Sequence, residues 1–272
     1  MKKKLFHVFL ILLFLTGSGL LLYPFLSDYI NSMHQSREIS TYTESVTQLD
    51  RDIYAQLWKD AMEYNRSLLT GTDQPILSPP SQAYHTLLDV TGSGILGYIE
   101  IPRINCSLPV YHGVNPDVLQ TAVGHIAGTS LPTGGESTHC VLSGHRGLPS
   151  AKLFTDLDQM AMGDLFMLRV LDKTLTYQVD QILIVEPHEV DALAIIEGED
   201  LCTLVTCTPY GVNSHRLLVR GRRIENMTTS PTVHITADAL QIQPVLVLSA
   251  AAAPMLLVLL MALFVHRKKN NR

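Results

Sequence analysis

The stretch Leu201-Cys202-Thr203-Leu204-Val205-Thr206-Cys207-Thr208-Pro209-Tyr210-Gly211 decides the fold. Its apolar and β-branched residues read as a strand that ends at Cys207. Pro209 removes a backbone donor and Gly211 marks a turn. Side chains alternate along a strand, so Thr203, Val205 and Cys207 share one face. Beyond the turn, Arg216-Leu217-Leu218-Val219-Arg220 resumes strand character. If the two strands pair as a hairpin, Arg216 stands close to Cys207. A cation there favours a thiolate and stabilises a developing oxyanion. The competing reading is a buried cysteine and a surface arginine, and spacing alone does not choose.

Working outward, the same texture runs from Gly94 to Ile224. Ile95 to Pro102, Leu108 to Tyr111, His139 to Ser143, Leu165 to Val170, Thr174 to Val185 and Arg216 to Ile224 are further short strand-like runs. Turns rich in Gly, Pro, Asn and Asp separate them, which argues for a mostly β barrel or sandwich. One short helix opens at Asn115-Pro116, with Asn as cap and Pro at the first helical position. Another is expected near Leu148 to Leu157. Upstream, Val46, Leu49, Ile53, Leu57 and Met62 recur at helical steps in the polar stretch from Ser36 to Leu69, predicting one or two helices. The run from Thr70 to Ser81 holds three prolines and a glycine and reads as a loop.

A nucleophilic cysteine needs an imidazole within hydrogen-bond reach. His145 lies in Val141-Leu142-Ser143-Gly144-His145-Arg146-Gly147, where an apolar strand runs into a glycine-flanked turn. Turns of that kind present catalytic side chains from a rigid scaffold. His112, His125 and His215 compete, and a structural role suits each of them better. The remaining cysteines, Cys106, Cys140 and Cys202, show no metal-ribbon spacing and read as small buried hydrophobes.

Met1-Lys2-Lys3-Lys4 precedes an apolar run from Leu5 to Leu26, long enough to cross a hydrocarbon core. A secretory signal peptide begins the same way, but no clean small-x-small site closes the run, so a retained anchor is preferred. Pro244 to Val265 is apolar and uncharged, and His266-Arg267-Lys268-Lys269 follows it. This reads as a second spanning helix with a basic stop. Both basic clusters flank the apolar runs on their outer sides, which places both ends in the cytoplasm and Ser27 to Gln243 on the far side. The formal net charge is −5, and seven positive residues lie in the two tails, so the remainder carries −12. That disfavours nucleic acid as a partner. The resulting division is an anchor over 1–26, a helical appendage with a loop over 27–93, a catalytic barrel over 94–225, a linker over 226–243, a second membrane helix over 244–266 and a basic tail over 267–272.

These blocks carry a resemblance. Thr203-Leu204-Val205-Thr206-Cys207 matches the TLxTC signature of sortases. TCTPYGVNSHRLLVRGRR over Thr206 to Arg223 resembles the class C, pilin-polymerising branch. So do GHIAGTSLPTGGESTHCVLSGHRGLPSAKLFTDL from Gly124 to Leu157 and GYIEIPRINCSLPVYHG from Gly97 to Gly113. The resemblance implies an eight-stranded β-barrel with short helices and a Cys–His–Arg site, carried here onto Cys207, His145 and Arg216. Thr206, beside the thiol in the signature, is carried over as a substrate-binding position. It implies an LPxTG-type pilin or surface-protein substrate on a Gram-positive cell wall. It also implies cleavage between Thr and Gly through a thioacyl enzyme, then transfer to an amine. In class C that amine is a pilin lysine; the housekeeping variant uses a cell-wall precursor. One departure stands out. Class C lids often carry Asp-Pro-aromatic, whereas this chain reads Asp73-Gln74-Pro75-Ile76.

No clustered carboxylate or calcium-loop spacing appears, so no metal or other cofactor is expected. Activity that requires thiolate and imidazolium together gives a bell-shaped pH–rate profile. Two other readings remain at this stage: a cysteine peptidase that transfers to water, and a non-catalytic membrane-anchored surface assembly protein.

Overall fold

The computed structural model describes residues 2–70 and 82–226. The loop expected over 70–81, apart from Thr70, and the linker, second membrane helix and tail lie outside the described residues. The chain divides into two compact units. Among the described residues, one comprises 2–33 with 149–151, and the other 34–148 with 152–226.

Residues 2–33 belong to α1 (Lys2–Thr47). Its residues from 5 onward form a helix long and apolar enough to cross a membrane, and none of its apolar window is buried. Leu5, Leu12, Leu20 and Phe25 are exposed. A helix that turns so much apolar surface outward fits lipid better than water.

The larger unit is built on a closed barrel of eight strands. These are β1 (Ile95–Ile101), β2 (Cys106–His112), β3 (Val123–His125), β4 (Thr138–Ser143), β5 (Leu165–Val170), β6 (Lys173–Val185), β7 (Asp200–Thr208) and β8 (His215–Ile224). The order around the barrel is β1-β2-β3-β4-β7-β8-β6-β5, so no free edge runs its full length. Pairing is antiparallel except at β2–β3 and β4–β7, which are parallel. The inner face is apolar: Ile99, Ile101, Leu142, Phe166, Leu168, Tyr177, Leu204 and Val219 are all buried.

All seven strand-like runs in the sequence are strands, with ends that agree to within two residues. β3 was not read, because three residues are too few to show a period. α3 (Pro116–Leu119) begins at Pro116 as expected, although Asn115 makes no side-chain cap bond. The helix expected near Leu148 to Leu157 does not form. Leu153 sits at φ 38°, in the left-handed region that breaks a right-handed helix. Phe154 N–H instead donates to the His145 carbonyl (3.1 Å), and a short 3₁₀ turn follows at Leu157–Gln159. Leu153, Phe154 and Leu157 are buried there by turns.

The appendage holds the end of α1, then α2 (Arg51–Thr70), then a 3₁₀ turn over Gln82–Thr86. Three side chains fasten it to the barrel. Tyr42 is buried; its hydroxyl donates to Leu96 O (3.0 Å) and accepts from Leu171 N–H (2.7 Å). Asn65 accepts from Leu131 N–H (2.7 Å) and donates to Leu131 O (3.2 Å). The Tyr84 hydroxyl donates to His125 Nδ1 (2.7 Å) and accepts from Gly113 N–H (3.1 Å).

Candidate active site

β7 and β8 pair in antiparallel register with Cys207 opposite Arg216. Such directly opposed residues project to the same side with Cβ atoms about 5 Å apart. Both belong to the outer face of the barrel. Val205 and Leu218, the next pair on that face, pack with Val141 and with Leu193 from the β6–β7 connection. Thr206 and Leu217 face inward and are buried. Cys207 and Arg216 are partly exposed. The Arg216 guanidinium is held from behind, donating to the carbonyls of Asn213 (3.2 Å) and His215 (3.1 Å).

β4 lies on the other side of β7, parallel to it, with Ser143 in register with Val205. The register ends at that pair, two residues before His145 on one chain segment and two before Cys207 on the other. Beyond Ser143 the chain stays tied to β7, because Gly144 N–H donates to Val205 O (3.0 Å) and Thr206 Oγ1 donates to Gly144 O (2.8 Å). Position 144 must be glycine: a Cβ would come within 2.6 Å of the buried Phe154 ring. The turn carrying His145 is thus fixed on the strand next to the thiol, and His145 is partly exposed.

Cys207 and Arg216 are thus brought together, and His145 is attached through Gly144. The Thr206 side chain points away from this face and bonds the Gly144 carbonyl. The competing histidines are committed elsewhere. His125 is fully buried between Tyr84 and the Ser130 carbonyl (Nε2, 2.9 Å). His112 Nδ1 lies 3.0 Å from Gly94 O, and burial lowers its pKa to about 4. His215 is opposite Thr208 at the start of β8, with Ser214 Oγ 2.9 Å from Nδ1. A further histidine, His139, is buried with Nε2 2.7 Å from Thr203 Oγ1. The other cysteines are free and buried; burial pushes the Cys106 thiol up to about 12 and raises Cys202 well above its usual range. Among the described residues, no three His, Cys, Asp or Glu side chains are grouped to hold a metal ion.

A strand-end thiol is thus opposed by an arginine on a closed eight-stranded barrel, with a histidine-bearing turn tied to the same strand. The model of the sortase domain matches residues 99–224. The structure is similar to that of sortase C1 from Streptococcus agalactiae, with 49% identity and a TM-score of 0.65; the match covers 70% of this chain and 100% of that one. It is also similar to sortase C from Streptococcus pneumoniae, a structure described for catalysis and pilin substrate specificity. There the identity is 46% and the TM-score 0.65, with 72% of this chain and 99% of that one covered. Sortase D of Bacillus subtilis (strain 168) is 29% identical over 131 residues, 47% of this chain and 63% of the relative's own length. The chain belongs to the sortase family, the cysteine transpeptidases.

Proposed function

We propose that this chain is a membrane-anchored transpeptidase that cleaves an LPxTG-type sorting signal and joins the acyl part to a lysine of a pilin subunit. The observation that carries this reading is the Cys207–Arg216 register pair with the Gly144–His145 turn bonded to the same strand. Cys207 is the nucleophile, His145 the acid/base and Arg216 the stabiliser. The similarity to sortases C supports the pilin branch.

The Cys207 thiolate attacks the threonine carbonyl carbon. The oxyanion that forms is met by the Arg216 guanidinium, whose planar fork is already oriented by its own backbone contacts. The Thr–Gly C–N bond then breaks. His145, as imidazolium, gives its proton to the leaving glycine nitrogen, and a thioester remains on Cys207. An acceptor amine attacks that thioester and loses a proton to His145, and the sulfur leaves as thiolate. Thr206 serves the site by positioning, because its hydroxyl fixes the carbonyl that precedes His145.

The apolar part of α1 supports an anchor, and the basic residues beside it favour an N-terminus inside and a barrel outside. The test is cleavage of a quenched-fluorescent LPxTG peptide by the whole chain in detergent, with a pilin domain as amine donor. Cleavage with peptide–pilin conjugate supports the reading. Cleavage with free acid alone makes the chain a peptidase.

A further inference from the structure

We propose that Arg146 and Tyr210 form a clasp that sets His145 against Cys207 and Arg216, with Arg146 acting as a positioning residue and not as a group that touches substrate. This rests on the reading of those three residues as the reacting groups.

Arg146 follows His145 directly, yet its side chain turns back into the protein and is only 9% exposed. One terminal nitrogen bonds the Asp158 carboxylate, which lies in the turn after Phe154. Its Nε is buried and has no hydrogen-bond partner among the described residues. A buried donor left unpaired is disfavoured, so something other than self-satisfaction keeps an arginine here. The guanidinium carbon lies 5.8 Å from the centre of the Tyr210 ring, within cation–π range. Tyr210 is 61% exposed, so burial does not hold it there.

Gly147 completes the contact. It sits at φ 76°, and a Cβ there would come within 2.9 Å of the Tyr210 ring. The His145 turn is therefore shaped to receive that ring. Tyr210 belongs to the β7–β8 loop, which starts one residue after Cys207 ends its outer-face run and which supplies the Asn213 carbonyl to Arg216. Val212 and Asn213 both donate to the Pro209 carbonyl (3.1 and 2.9 Å), so the loop is a closed turn and not a loose strap. One loop thus touches the arginine side of the site through Asn213 and the histidine side through Tyr210. Loosening the clasp moves one against the other, and small misplacements in such constellations are costly.

The experiment uses the whole chain in detergent, with Tyr210→Ala, Tyr210→Phe, Arg146→Gln and the Tyr210→Ala/Arg146→Gln double variant. Two readouts are taken: the pH dependence of Cys207 alkylation by iodoacetamide, and kcat and KM on an LPxTG peptide. Cys207→Ala supplies the background, and the other thiols are buried. Tyr210→Ala and Arg146→Gln should each lower kcat about tenfold with KM within about twofold. The alkylation midpoint should move to higher pH, because a displaced imidazolium no longer favours the thiolate. Tyr210→Phe keeps the ring and should behave as the parent. The double variant should be no slower than the slower single. Multiplying losses in the double, or a kcat loss with an unmoved alkylation profile and a lowered folded fraction, would overturn the clasp. Peptide cleavage that persists in Cys207→Ala would instead sink the underlying assignment.

Discussion

Arg216 stands at the one position of β8 that opposes the thiol, and its guanidinium is oriented by two carbonyls of its own loop. A lysine there keeps the charge but loses the planar fork and both orienting bonds. Arg216→Lys should therefore lower kcat by about a hundredfold or more while the protein stays folded; near-parental turnover would remove Arg216 from the chemistry. Gly144→Ala should be destabilising as well as slow, because its methyl group would have to displace the Phe154 ring. Overpacking of this kind costs about 1–3 kcal/mol, and thermal unfolding of the variant reads it directly. Thr206→Val removes the donor to a buried carbonyl and should cost about 1–3 kcal/mol. Thr206→Ser should recover most of that. At this scale the sequence was informative where a local rule applied. Strand alternation put Cys207 and Val205 on one face, and a hairpin across Pro209–Gly211 placed Arg216. Tyr84, Arg146 and Tyr210 were not singled out. Their partners lie across the fold, and no local pattern distinguishes a clasp from a surface arginine and an exposed tyrosine.

Elements of the appendage hold the loops that lead to the site. Asn65 on α2 satisfies both backbone groups of the buried Leu131, in the segment that feeds β4. Asn65→Ala should cost about 1–3 kcal/mol, because it orphans the buried Leu131 N–H, while the Leu131 carbonyl keeps its bond from Thr133 N–H; an unfolding midpoint unchanged within error would contradict this. The turn carrying Tyr84 packs edge-on against His112 and beside His85 and His125. Asp89 faces the same histidine and only partly opposes the effect of burial. His112 is held neutral, with a folded pKa near 4 below its ordinary value of about 6.5. The unfolded chain therefore binds a proton first as pH falls. The stability contributed is full above about 6.5 and is lost progressively down to about 4, some 2–3 kcal/mol for this group. Urea midpoints at pH 7.5 and 4.5 should differ by more in the parent than in His112→Gln. Elements with clear period or capping signals were legible, including both appendage helices and seven strands. The turn-rich segment after His145 was not, because its apolar spacing mimics a helix while Leu153 takes a left-handed backbone.

For the molecule as a whole, the anchoring helix and the barrel make a topological claim. Protease added to intact spheroplasts should digest the barrel, whereas protection would place the site on the cytoplasmic side and contradict the basic-flank reading of the ends. Many short strands with turn signals read as a barrel or a sandwich, and only the sortase resemblance pointed to the eight-stranded barrel; closure left no local signal. Closure depends on two parallel pairings, β2–β3 and β4–β7, and parallel neighbours leave no hairpin signature in the chain. The second of those pairings ties the Gly144–His145 turn to the strand that carries Cys207, so the proposed site is a product of topology as much as of motif. The most direct test of that claim is the intact mass of the full chain after brief exposure to an LPxTG peptide, beside Cys207→Ala and His145→Ala. An adduct of the peptide through its threonine on Cys207 is expected, absent from Cys207→Ala and slow to form in His145→Ala. An adduct on another cysteine, or peptide cleavage by Cys207→Ala at the parental rate, would contradict it.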